Sequence, residues 1–215
     1  MQVVGLTVLR DDRARWVIQV GLCLTTATVA LQAVCQLLDF GVFDLSLRIL
    51  DSNHHKSVFG AVSVLAQAGA AAAIILGAAR PPRLRVARVL LGALVASLAL
   101  VRTFAAYDVA MLLAPLAAVF ALLCWLALHD PPSIRITVLA ALALLVCSFA
   151  LHTVGPAADG GAGHVDGSWT FQLTAMLKHG AELAGWMLLA SGMLAGSVAS
   201  REGRFKLIPA EQVAD

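Results

Sequence analysis

Residues 86–128 read VARVLLGALVASLALVRTFAAYDVAMLLAPLAAVFALLCWLAL. Roughly 20 apolar residues in a helix cross a hydrocarbon core about 30 Å thick, so this stretch is about twice the length of one crossing. It is broken near its middle by Arg102-Thr103 and Tyr107-Asp108. The stretch therefore predicts a helical hairpin, with spans at 86–103 and 107–128, in a chain whose main solvent is lipid rather than water.

Working outward, the same criterion gives spans at 16–38, at 58–79 before the Arg80-Pro81-Pro82-Arg83 break, at 136–153 after Pro131-Pro132, and at 170–200. The last is long enough to tilt or to project from the membrane. Composition agrees: 60% of residues are apolar and 13% charged, against roughly a quarter charged in soluble domains. The expected fold class is an all-α integral membrane protein, a single polytopic domain over 1–215 with six transmembrane helices. The segment 40–51 mixes apolar and polar residues after span one and is compatible with a short helix lying in the interface.

A net charge of +2 with no dense basic cluster predicts no nucleic-acid partner. Cys23, Cys35, Cys124 and Cys147 lie in apolar segments without a C-x-x-C spacing, so packed thiols are expected rather than a disulfide framework or zinc site. The apolar run after Arg10, Arg13 and Arg15 is too long for a signal-peptide core and is expected to stay as span one.

Orientation follows from the cations. One set of connections holds Arg10, Arg13, Arg15, Arg80, Arg83, Arg85, Arg88, Arg135, Arg201, Arg204 and Lys206; the other holds only Arg48, Lys56, Arg102 and Lys178. The bias supports an even number of spans and puts both termini in the cytoplasm. The expected location is a cell membrane of the bacterial cytoplasmic type. The Arg80 to Arg88 run doubles as a candidate contact for anionic lipid.

Polar groups collect toward the outer ends of the spans. In span one, Thr25, Thr28, Gln32, Gln36 and Asp39 recur at steps of three or four, forming one face expected to point into the bundle. For the threonines, hydrogen bonding between helices is the ordinary explanation. Span six carries Gln172, His179, Glu182 and Trp186 at helical spacing, with Lys178 beside them. A His and a carboxylate at i and i+3 can ligate a metal together, exchange a proton, or simply pair. An ionisable group inside a span costs roughly 3 kcal/mol on insertion scales and so calls for a partner or a function. His152 ends span five, Asp108 lies at the turn after span three, and His54 and His55 precede span two.

These residues predict an outward-facing polar pocket built from Gln32, Gln36, Asp39, Asp108, His152, His179 and Glu182. It would take a metal ion, a small solute or a lipid headgroup, with transport or hydrolysis open and with His152, His179 and Glu182 as candidate ligands of a divalent metal. Two other readings stand beside it. The first is a structural or assembly subunit that packs on a membrane-protein partner, or on a second copy, through small-residue faces. Such faces run through Gly192, Gly196 and Ala199 in span six and Ala66, Ala70 and Ala73 in span two; Ala181 and Gly185 lie on a similar face further out in span six, with Leu188 and Leu189 interrupting the series between them and Gly192. The second is b-type haem ligated by His152 with His179 or His55, against which stands the lack of repeated transmembrane His pairs. No H-E-x-x-H, P-loop or G-x-S-x-G motif occurs to assign a reaction.

The orientation is testable directly. A cysteine introduced at His164 should react with a membrane-impermeant maleimide in intact cells. Labelling only after permeabilisation would reverse the assignment.

Overall fold

A computed structural model describes residues 12–43, 47, 49, 57–77, 82–104, 109–129, 132–158 and 169–205. Within hydrocarbon every backbone N–H and C=O must be satisfied inside the chain, and a helix does this segment by segment. The described residues accordingly form six helices and no strand: α1 (Asp12–Gly41), α2 (Val58–Gly77), α3 (Pro82–Phe104), α4 (Val109–His129), α5 (Pro132–Ala158) and α6 (Trp169–Phe205). Five of them, all but α4, contain apolar stretches long enough to cross a membrane. In α4 the described apolar stretch is the shorter Leu113–His129. Residues 44–46, 48, 50 and 51, half of the expected interfacial segment, lie outside the described residues.

Side chains facing outward fit a membrane as the solvent. Leu65 and Leu128 are 70% and 71% exposed, and large exposed apolar residues recur on every helix. Water would not tolerate so much contiguous apolar surface on a monomer. Trp16 and Trp125 lie toward one end, and Phe40 and Trp169 meet edge to face at 4.5 Å at the other, the positions aromatic rings favour at membrane boundaries.

Helices α2 to α6 form a closed ring: each packs on the next in chain order, and α6 returns to α2. Helix α1 packs on α6 from outside. The apolar core draws Ile74, Leu91, Leu123, Val138 and Leu189 from the five ring helices and no described residue of α1. Helices consecutive in the chain run antiparallel, whereas α2 and α6, which close the ring, run parallel. Arg13, Gly77, Arg88, Leu128, Arg135 and Val198 thus gather at one end, called here the terminal end. Asp39, Ser57, Arg102, His152 and Gln172 gather at the far end.

Glycines allow the closest approaches. On α6, an added Cβ at Gly185 would stand 2.7 Å from Leu145 Cγ and 3.2 Å from the Ala141 carbonyl oxygen; at Gly192 it would stand 2.8 Å from Thr137 Cγ2, and at Gly196 it would overlap Ile134 Cδ1. The seam to α5 thus extends from Gly196 outward to Gly185, with Leu189 fully buried between. The two leucines do not end the series as expected from sequence, because Gly185 and Gly192 are seven residues apart and so share a face. Gly92 of α3 plays the same part against α2, where a Cβ would come within 2.5 Å of Ile75 Cγ1 and 3.2 Å of the Ala71 oxygen. Gly21 of α1 lies directly on the Ser191 hydroxyl of α6.

Helix ends are closed by side chains. Ser57 Oγ accepts from Gly60 N at 3.0 Å as the N-cap of α2. Arg88 Nη1 donates to the Gly77 oxygen at 2.7 Å, and Arg135 Nη2 to the Leu128 oxygen at 3.2 Å, so that each arginine binds a C-terminal carbonyl of the preceding helix. Arg88 is only 5% exposed. Arg88 is therefore not the contact for anionic lipid that the Arg80 to Arg88 run suggested: its positive charge meets the negative end of α2. The four cysteines are free as expected, but they are not packed thiols. Cys23, Cys124 and Cys147 face outward, and Cys35 is half-buried.

Gly192→Leu and Gly196→Leu are expected to destabilise the purified protein by roughly 2 kcal/mol or more, because the new side chains meet α5. Leu188→Ile should change little, and Gly69→Ala, where a Cβ meets nothing within 4 Å, should cost nothing. Equal thermal midpoints across the four variants would refute the seam.

Candidate functional site

The far half of the ring encloses a cavity of about 200 Å³ to which all five ring helices contribute. Each wall is one helical stripe. Leu98 and Arg102 come from α3 and Leu116 and Phe120 from α4, both at i and i+4; Leu145, Ser148 and His152 come from α5, and His179, Glu182 and Trp186 from α6, both at i, i+3 and i+7. Gln67 is the contribution of α2, and Lys178 and Phe149 complete the lining.

Polarity is divided along the cavity. Toward the far end, Arg102 forms an ion pair and hydrogen bond with one oxygen of Glu182, and His179 Nδ1 lies 3.7 Å from the other. That second separation is electrostatic contact rather than a hydrogen bond. The three side chains keep 23%, 21% and 18% of their surface exposed. His152 is exposed near them. Deeper in the ring the walls become apolar, with Phe120 and Phe149 meeting edge to face at 6.3 Å across the α4–α5 contact. The Ser148 hydroxyl and two further polar atoms remain at this depth. Gln67 Oε1 and Trp186 Nε1 are buried without a hydrogen-bond partner among the described residues, and both side chains are 4% exposed.

The Arg102–Glu182 pair bridges α3 and α6, which are not among the helix pairs that pack along their length. It acts as a strut across the cavity. Short apolar side chains at these positions would leave the two helices without direct contact at this level.

Of the residues expected to share one pocket, the structure brings together His152, His179 and Glu182. It places Gln32, Gln36 and Asp39 elsewhere, in the contact between α1 and α6. There Gln36 Nε2 donates to Gln172 Oε1 at 2.6 Å, and Asp39 Oδ1 accepts from Leu47 N at 2.9 Å. Both amide atoms of Gln32 and the second oxygen of Asp39 are buried without a partner among the described residues. The stripe does face protein, but because α1 lies outside the ring it faces the back of α6 rather than the cavity. Thr25 and Thr28 donate to carbonyls of their own helix, Gly21 and Leu24, both at 2.7 Å. Asp108, His54, His55 and His164 lie outside the described residues.

Sequence reasoning placed Arg102 in a turn and missed it as the partner of Glu182. The available signal was charge: Arg102 and Glu182 are opposite charges at similar depth in two apolar spans, and such groups pair. Gln67 was missed as well, although it and Ser63 are the only polar side chains in α2. Among the described residues no three His, Cys, Asp or Glu side chains converge to hold a metal ion. The carboxylate that would anchor one is engaged by a guanidinium.

With the geometry in place, comparison with known proteins adds no assignment: no family model, no curated protein and no solved structure matches the chain.

Arg102→Met or Glu182→Leu alone leaves one ionised group in a poorly hydrated bundle, at a cost of roughly 3 kcal/mol. Combining them should recover most of that loss. Thermal midpoints of the two single variants and the double variant measure the coupling, and additive losses would show that the strut carries none.

Proposed function

We propose that the chain is a six-span membrane protein, with both termini in the cytoplasm, that binds a small amphiphilic molecule in the cavity enclosed by α2 to α6. The observation that carries this reading is the division of that cavity into an ionic end, with Arg102, Lys178, His179 and Glu182, and an apolar depth. Small-molecule sites combine an apolar lining with a few placed polar groups in this way. A solute with a polar head and an apolar body, or a lipid headgroup with the start of its chain, matches both halves. A bare divalent cation matches neither, since it would have to displace Arg102 from Glu182 and would leave the apolar half empty.

Two considerations support the topology. Helix α4 has 21 residues, about 32 Å at a rise of roughly 1.5 Å per residue, which is sufficient for a sixth crossing. The Lys and Arg imbalance then sets the terminal end in the cytoplasm and opens the cavity toward the external side. Entry from there suits binding or uptake of an external solute.

Protein extracted from membranes in mild detergent should carry one small organic molecule per chain, detectable as a non-covalent adduct by native mass spectrometry. Ser148→Phe, which places a ring inside the cavity, should remove it. An adduct of equal abundance in both proteins would place the ligand elsewhere. Its absence from both, with another membrane protein co-purifying, would favour an assembly subunit.

A further inference from the structure

The ionic end of the cavity is internally satisfied, but its depth is not. Gln67 on α2 offers an acceptor and Trp186 on α6 a donor, each on a side chain 96% or more removed from solvent by the 4% exposures above and each without a partner among the described residues. A buried polar group left unmatched costs about 1–3 kcal/mol. Packing alone gives no reason to keep two of them among walls whose other polar group at this level is the Ser148 hydroxyl. One functional group answers both, because a hydroxyl donates through its hydrogen and accepts through its oxygen. A carbonyl would serve only the indole, and an ammonium only the amide.

The surrounding walls indicate what bears the hydroxyl. Phe120, Phe149 and the Trp186 ring form aromatic surfaces, with Leu98, Leu116 and Leu145 between them. A cavity of about 150 Å³ lined by such side chains holds benzene. The volume here, about 200 Å³, accommodates a single ring with one or two substituents. Edge-to-face and offset contacts with these rings favour an aromatic ligand over an alkyl chain of similar size.

We propose that the cavity recognises a phenol: a hydroxylated aromatic ring whose hydroxyl bridges Gln67 Oε1 and Trp186 Nε1, and whose opposite substituent points toward the Arg102–Glu182–His179 cluster. The proposal rests on the cavity being a ligand site and names the chemical class of that ligand. A polar substituent at the opposite position, such as a second hydroxyl or a carboxylate, meets donors and acceptors on that cluster, whereas a purely apolar one does not.

The test compares two probes of nearly equal shape, 4-fluorophenol and 4-fluorotoluene, by fluorine NMR with the full chain in detergent micelles. Ser148→Phe supplies the blocked cavity, so that partition into micelles can be subtracted. Wild type should bind the phenol about tenfold more tightly, the scale of the net gain from one or two hydrogen bonds. Gln67→Leu and Trp186→Phe should each bring the ratio close to one while still binding the toluene. Should Gln67→Leu fail to fold, Trp186→Phe, which keeps a ring in place, decides alone. Equal affinity for both probes in wild type, or a preference that survives in the variants, would overturn the hydroxyl subsite while leaving the cavity as a binding site. No saturable binding of either probe to wild type beyond that of Ser148→Phe would overturn both.

Discussion

Helices surrounded by hydrocarbon gain little by burying more hydrocarbon, so their association relies on close packing and on polar contacts. In this chain both are concentrated on α6. One face carries Gly185, Gly192 and Gly196 against α5, where the absence of a Cβ brings backbones together and multiplies dispersion contacts. A second face carries Gln172, Gly180 and Ser191 against α1. A third carries His179, Glu182 and Trp186 into the cavity. Filling any one of these faces with leucine would suit the membrane as a solvent, yet it would remove a neighbour, the helix arrangement or the site.

The same logic explains why a cavity persists. Glycines draw α3 onto α2 and α6 onto α5, and arginine caps tie α3 to α2 and α5 to α4 at the terminal end. At the far end the long Arg102 side chain spans from α3 to Glu182 on α6. Two opposite charges at this depth stabilise each other only while they touch, so the pair fixes a separation between the helices that bear them. Space remains beneath the strut, and the aromatic rings of α4 and α5 wall it without filling it.

Apolar run length and the breaks between runs made the six helices legible, and periodicity did the same for the stripe on α1 and the His179–Glu182–Trp186 set. Which helix each face meets was not. Ring closure of α6 on α2 joins segments more than 100 residues apart, and a one-dimensional pattern is the same whether α1 enters the ring or rests outside it. Gln32, Gln36 and Asp39 were therefore assigned to the pocket when they belong to the α1–α6 contact. Arg102 illustrates the same limit at the level of one residue: its place at the end of a span suggested a turn, and its charge called for a partner without saying which helix would bring Glu182 opposite. Gln67 was overlooked because a lone amide in an alanine-rich span carries no periodic signal.

Helix polarity ties the charge pattern to the packing. At the terminal end α2 and α4 finish, so their exposed carbonyls present partial negative charge there. Arg88 and Arg135, on the helices that follow, are placed to bind those carbonyls. Arginines of the cation-rich connections thus close helix ends, and burial of Arg88 is sustained by its hydrogen bond to Gly77. At the far end the helices that finish are α1, α3 and α5. Arg102, in the last turn of α3, has the sign that this polarity favours, whereas Asp39, in the last turns of α1, has the opposite sign. Asp39 is held by the Leu47 amide, which supplies the donor that the end of its own helix cannot. Glu182 lies well inside α6, away from either terminus, and its charge is balanced by Arg102 rather than by a helix dipole. Removing Arg102 therefore affects Glu182 directly, and the orientation of the site follows from the order in which the helices begin and end.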